Sequence, residues 1–141
     1  MKKRGFTLIE LLVVIAIIGL LSTLAVVALG SARSKARDAK RLADLKQMQT
    51  ALELYYTDQT AYPAGAGITL GTGNAACLNA TGFAATGCAN PYMGQVPKDP
   101  LPAQNYVYTL AGSTYSITAT LEGTVNGLSA GVTLSPAGIA D

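Results

Sequence analysis

Apolar and polar positions alternate in three different ways along the chain. From Phe6 to Ala32, 27 residues are apolar, small or hydroxylated, with Glu10 the one exception. From Ser31 to Thr57 there is no Pro or Gly, and Ala, Leu, Lys, Arg, Glu and Gln, all good helix formers, dominate. Within that stretch Leu42, Leu45, Met48 or Gln49, Leu52 and Tyr55/Tyr56 recur at three- and four-residue steps, which places one apolar stripe on a helix. The two stretches together predict one helix of about fifty residues, closed by Tyr62-Pro63-Ala64-Gly65. Further on the period drops to two. Tyr106, Tyr108 and Leu110 share one face; after Ala111-Gly112-Ser113 so do Tyr115, Ile117, Ala119 and Leu121, with Ser116, Thr118 and Thr120 opposite. That pattern predicts a β-hairpin, with Val132 to Leu134 as a third strand, whose apolar face covers the Leu45–Leu52–Tyr55 stripe. Residues 66–90 are Gly/Ala/Thr/Asn-rich and read as a long surface loop, followed by turn chemistry around Pro97, Pro100 and Pro102.

As a helix the first run measures about 40 Å, more than the roughly 30 Å of a bilayer's hydrocarbon core. It can span a membrane. A cleaved secretory signal is a competing reading, with Ala28-Leu29-Gly30 before Ser31 as the small-residue site. The apolar core of such signals runs only about 7–15 residues. A plain anchor is the other alternative. It leaves Glu10 without a purpose, because an ionised carboxylate at the centre of a span costs roughly 2.5–3.5 kcal/mol.

Charge adds a second asymmetry to a net of only +2. Lys2, Lys3 and Arg4 precede the apolar run, six cations follow between Arg33 and Lys46, and the remainder carries a single Lys98 against mostly acidic residues. Asp38 is spaced to pair with Lys35 and Arg41, and Asp44 with Lys40, along one helix. The six-cation strip lacks interleaved aromatics. It reads as a juxtamembrane surface for headgroups or neighbouring subunits rather than a nucleic-acid site, a partner that is possible but unsupported. Counting positive charges on either side of the span would place the C-terminal part in the cytoplasm, against the export readings.

With no histidine in the chain, no nucleophile–base arrangement can be assembled and no catalytic residue is assigned. Asp99, between two prolines, reads as a turn residue rather than a catalytic acid. No cofactor is expected. Cys77 and Cys88 form the only possible pair, either reduced in the cytoplasm or joined in an oxidising compartment. An N-terminal export signal favours the disulfide. Asn79-Ala80-Thr81 matches a glycosylation sequon, a three-residue pattern that carries little weight.

Lys2-Lys3-Arg4-Gly5-Phe6-Thr7-Leu8-Ile9-Glu10 resembles the class III leader of type IV pilins and of type II secretion pseudopilins. The resemblance implies that prepilin peptidase cuts between Gly5 and Phe6 and methylates Phe6, leaving the apolar helix in the inner membrane as a single-pass anchor. Glu10 then becomes an assembly residue. When helices stack with an axial stagger its carboxylate lies opposite the new amine of a neighbour, or pairs with the amine of its own chain, and acts as a register pin. The expected architecture is pilin-like α+β, a long N-terminal helix packed on a small antiparallel sheet. Its expected parts are a leader over 1–5, a transmembrane polymerisation helix over 6–32 and a globular domain over 33–141. Within that domain the amphipathic helix covers 33–57, a loop 63–103 and the sheet 104–135.

The partners implied are copies of the chain in a helical filament, the prepilin peptidase, an inner-membrane assembly platform and, before assembly, the lipid bilayer. Two filament roles compete, a type IV pilus at the cell surface and a secretion pseudopilin in the periplasm; a membrane-anchored binding module is a remote third. Val96-Pro97-Lys98-Asp99-Pro100 followed by Tyr106-Val107-Tyr108 looks like the corresponding segment of major pseudopilins. Two departures stand out. Val27 occupies a position where many family members have proline, and the C-terminal region offers only Glu122 and Asp141 where major pseudopilins carry an acidic calcium loop. No metal site is therefore assigned. The missing calcium loop and the cysteine-bounded loop favour the pilus, which is the first expectation; the Pro97-Lys98-Asp99-Pro100 segment favours the pseudopilin, which is the second.

Overall fold

The computed structural model describes residues 5–141, so the basic residues Lys2 to Arg4 of the expected leader lie outside the described residues. The chain divides after Ser34 into two compact units. Helix α1 runs Leu8–Gln59, 52 residues, two beyond the expected end at Thr57. It stops where Thr60 takes a left-handed φ of 57° and its N–H closes on the Tyr56 carbonyl at 2.8 Å. In the first unit every large apolar side chain from Phe6 to Leu29 faces outward, between 47% and 88% exposed.

The second unit, the head from here on, is a five-stranded antiparallel sheet covering the C-terminal part of α1. The strands are β1 (Ile68–Thr69), β4 (Val107–Ala111), β5 (Thr114–Thr120), β6 (Gly131–Ser135) and β7 (Gly138–Ala140), in the order β1-β4-β5-β6-β7. A separate two-stranded ribbon pairs β2 (Cys77–Asn79) with β3 (Gly82–Ala84). The expected hairpin forms as β4–β5, with Tyr108 opposite Ile117 and Leu110 opposite Tyr115. Its turn is tighter than the three residues expected. Ala111 pairs with Thr114, and Gly112 at φ 64° takes the first central position of a two-residue loop, where a positive φ is required.

Two-period burial sends Tyr115, Ile117, Ala119 and Leu121 inward against Leu45, Met48, Leu52 and Tyr55 of α1 in one core. Thr118 and Thr120 stay outside. The helical stripe uses Met48 and Tyr55; Gln49 is half-buried and Tyr56 exposed.

The segment expected to be a loop over 63–103 is more structured than that. It holds β1, a 3₁₀ turn at Gly73–Ala75 and the β2–β3 ribbon, and the sheet extends past 135 into β7. Strands of two and three residues cannot display a period, which is why the pattern did not reveal them. Asn79-Ala80-Thr81, the sequon match, is the ribbon's turn: the Asn79 side-chain oxygen accepts from the Thr81 N–H at 3.0 Å and from its hydroxyl at 2.7 Å.

Cys77 and Cys88 are joined, with Cα atoms 6.2 Å apart. The bond fastens the segment after β3 to buried Cys77. The two cysteines are 11 residues apart, and a chain-entropy estimate for closing so short a loop is about 3 kcal/mol. Replacing both with serine is expected to lower stability by about 2–4 kcal/mol and leave the fold intact. Denaturant unfolding of the two forms measures this.

Candidate assembly site

Two features outside the apolar core are built with precision, one in each unit. In the first, Thr7 precedes α1 and Glu10 sits in its first turn. The Thr7 N–H and hydroxyl both donate to Glu10 Oε2 at 2.7 Å, and the Glu10 N–H returns a bond to Thr7 Oγ1 at 3.3 Å. This is a capping box, the reciprocal closure of a helix N-terminus that Thr-x-x-Glu permits. Reading Glu10 for its charge alone passed over that signature in Thr7-Leu8-Ile9-Glu10. The cap occupies one carboxylate oxygen; Oε1 accepts no hydrogen bond from the described residues. Gly5 and Phe6 stand just before the cap, both exposed.

In the head, Arg41 of α1 is fully buried. Its Nε and Nη2 form a fork on Asp99, at 2.7 Å to Oδ2 and 2.9 Å to Oδ1. Nη1 donates to Asp38 Oδ1 at 2.6 Å and to Glu122 Oε1 at 2.9 Å. Asp38 in turn accepts the N–H groups of Glu122 and Gly123 at 2.9 and 3.0 Å, and Asp99 accepts that of Leu101 at 2.8 Å. Arg37 closes the outer side on Glu122. One guanidinium thus ties the helix to the proline-rich segment before β4 and to the turn after β5. Gly71 makes room for that segment: with φ at 75°, a Cβ there would lie 2.6 Å from the Pro97 carbonyl oxygen.

Of the intrahelical pairs the sequence offered, Asp38–Arg41 forms, while Asp44 instead accepts from the Tyr106 hydroxyl at 3.0 Å. Asp99 is a turn residue, as read, and also Arg41's main partner. The role of Arg41 itself was missed, because it was counted with the six cations; its place four residues before Leu45, on the apolar stripe, was the signal that marks it as inward. Within that run Arg41 is buried and Arg37 is engaged by Glu122, so the strip does not stay a continuous positive face.

The charges set a pH response. Hydrogen bonds from Arg37, then Arg41, hold Glu122 down at about 2, against an ordinary 4.5. A depressed carboxylate contributes stability above its unfolded value and loses it as pH falls through its folded one. Asp44 has the opposite sign: burial raises it, so its contribution is present in acid and is lost as pH rises through its folded value. Between pH 4.5 and about 2 the unfolding midpoint is expected to fall, and Glu122→Gln to flatten that stretch of the profile. An acid titration of thermal unfolding reads both.

A profile of the prokaryotic N-terminal methylation motif matches residues 1–30, and one of type II secretion system protein G matches residues 28–130. The chain belongs to the type II secretion system protein G family. Curated relatives agree. The core protein G of Escherichia coli K12 is 44% identical over 62 residues, covering 44% of this chain and 43% of the relative. That of Klebsiella pneumoniae is 42% identical over 62 residues, covering 44% of each. For Vibrio cholerae the figures are 37% over 62 residues, 44% and 42%. Each match spans less than half the relative's length. No solved structure matches the chain significantly.

Protein G family members are structural, pilin-like subunits and not enzymes. The order of the two filament roles is thereby corrected. The profile and the relatives are those of a secretion system, the role placed second from sequence, and not of the surface pilus placed first. Calcium-loop carboxylates and a cysteine-bounded loop were weak grounds, because each concerns how one loop is braced and not how the chain assembles.

Proposed function

We propose that this chain is a pseudopilin of a type II secretion system, made as a single-pass inner-membrane precursor, cut after Gly5, methylated on Phe6 and polymerised with its own copies into a periplasmic filament that drives protein export. One observation carries the reading. The segment Phe6 to Leu29 leaves its large apolar side chains exposed, from 47% to 88%. Such a surface needs lipid before assembly and the same segment of neighbouring copies afterwards. The helix is long and apolar enough to cross a membrane. Its start carries a capped Glu10 whose Oε2 is taken by Thr7, while Oε1 accepts no hydrogen bond from the described residues.

Prepilin peptidase and the inner-membrane assembly platform are the partners that this route requires. This route calls on no nucleic acid, and within the basic strip Arg41 is buried and Arg37 is engaged by Glu122. The test is intact mass and N-terminal sequencing of chain recovered from membrane and sheared-surface fractions. A chain beginning at methylated Phe6 and confined to the envelope is expected. The same N-terminus in sheared filaments returns the role to a surface pilus, and an uncut chain removes the filament reading altogether.

A further inference from the structure

The acidic calcium loop that the resemblance implies has no counterpart in the head. Its two carboxylates in that region are already engaged: Glu122 by Arg37 and Arg41, and Asp141 by the Ser129 N–H at 2.9 Å and hydroxyl at 3.2 Å. Calcium takes six to eight oxygens at about 2.3–2.6 Å. Among the described residues no group of three or more His, Cys, Asp or Glu side chains is disposed to hold a metal. The donor set does not fit the ion.

The head contains a cation of its own instead. Four carboxylate oxygens from three separate parts of the chain lie 2.6–2.9 Å from the nitrogens of the buried Arg41 guanidinium: Asp38 Oδ1, both oxygens of Asp99, and Glu122 Oε1. Asp38 passes the contact on to the backbone of Glu122 and Gly123, at the start of the long connection from β5 to β6. We infer that the Arg41 guanidinium gathers the turn after β5 and the proline-rich segment onto α1 in place of a bound calcium ion, so that this head folds and holds its shape independently of calcium. A guanidinium stays charged at any physiological pH and is covalently part of the helix. It cannot be withdrawn when the calcium concentration falls, and calcium level is therefore no switch for this subunit. The inference concerns the head alone and stands whether or not the chain polymerises.

Thermal unfolding of the full-length chain in detergent micelles, with excess EGTA or with millimolar calcium, is the test. The two midpoints are expected to agree within about 1 °C, whereas an ion bound at a hundredfold excess over its Kd would raise the midpoint by several degrees. Arg41→Met is expected to lower the midpoint by about 10 °C or more in both conditions. A calcium-induced rise of about 5 °C or more in the unaltered chain, or an Arg41→Met midpoint equal to it, overturns the inference. Should Arg41→Met fail to fold, Glu122→Gln keeps the fork to Asp99 and the bond to Asp38. It is expected to lower the midpoint equally with and without calcium, and a drop that calcium reverses overturns the inference as well.

Discussion

Arg41→Met destabilises the head by about 3–5 kcal/mol, the largest single-residue effect expected on its stability. Methionine fills much of the same volume, so the loss is not a cavity effect. It arises because Asp38 and Asp99, both buried, keep their carboxylates and lose the charge that balanced them. Removing one partner of a buried ion pair is far more damaging than removing both. Arg41→Met combined with Asp99→Leu is therefore expected to recover part of the loss, and a double-mutant cycle in denaturant measures the coupling. Arg41→Lys is not a conservative change here. A single ammonium cannot reproduce the two-nitrogen fork on Asp99 while also reaching Asp38 and Glu122. Set against a typical stability of about 5–15 kcal/mol, the loss removes a large share of the margin. A result below about 1 kcal/mol for Arg41→Met would mean that the network is worth no more than an exposed surface pair.

Glu10→Gln abolishes assembly while leaving the helix start and the head unchanged. The capping box explains why this substitution is sharper than Glu10→Ala. Glutamine at the third helical position still accepts from the Thr7 N–H and hydroxyl, so the cap survives and only the charge is lost. Thr7→Val does the reverse: it removes the hydroxyl, weakens the cap by about 1 kcal/mol and keeps the carboxylate. Filament recovered after crosslinking is expected to fall at least about tenfold for Glu10→Gln, equivalent to about 1.4 kcal/mol per contact, and to change little for Thr7→Val. Wild-type assembly by Glu10→Gln would reduce Glu10 to a capping residue and remove its role as a register pin. Head unfolding, identical in all three chains, controls for expression and fold.

Periodic features were legible in the sequence. The three- and four-residue step from Leu42 to Tyr55 and the two-residue step from Tyr106 to Leu121 each depend on one element's geometry, and they marked the helical stripe and the β4–β5 hairpin before any contact was known. The leader motif and the unbroken apolar run likewise needed only neighbours in sequence, and so did the Thr7–Glu10 box, although charge drew attention away from it. Tertiary structure alone decided what depends on residues far apart. Arg41 meets Asp99 across 58 positions and Glu122 across 81. By helical period Arg41, four residues before Leu45 and seven before Met48, lies on the apolar stripe, whereas the exposed Lys40 beside it lies off it. The period marks the inward position; which carboxylates meet the guanidinium there is decided only when the turn after β5 and the proline-rich segment are folded against the helix. The short strands β1, β2 and β3 belong to the same class, because two or three residues become a strand only when a partner is there to complete their hydrogen bonds.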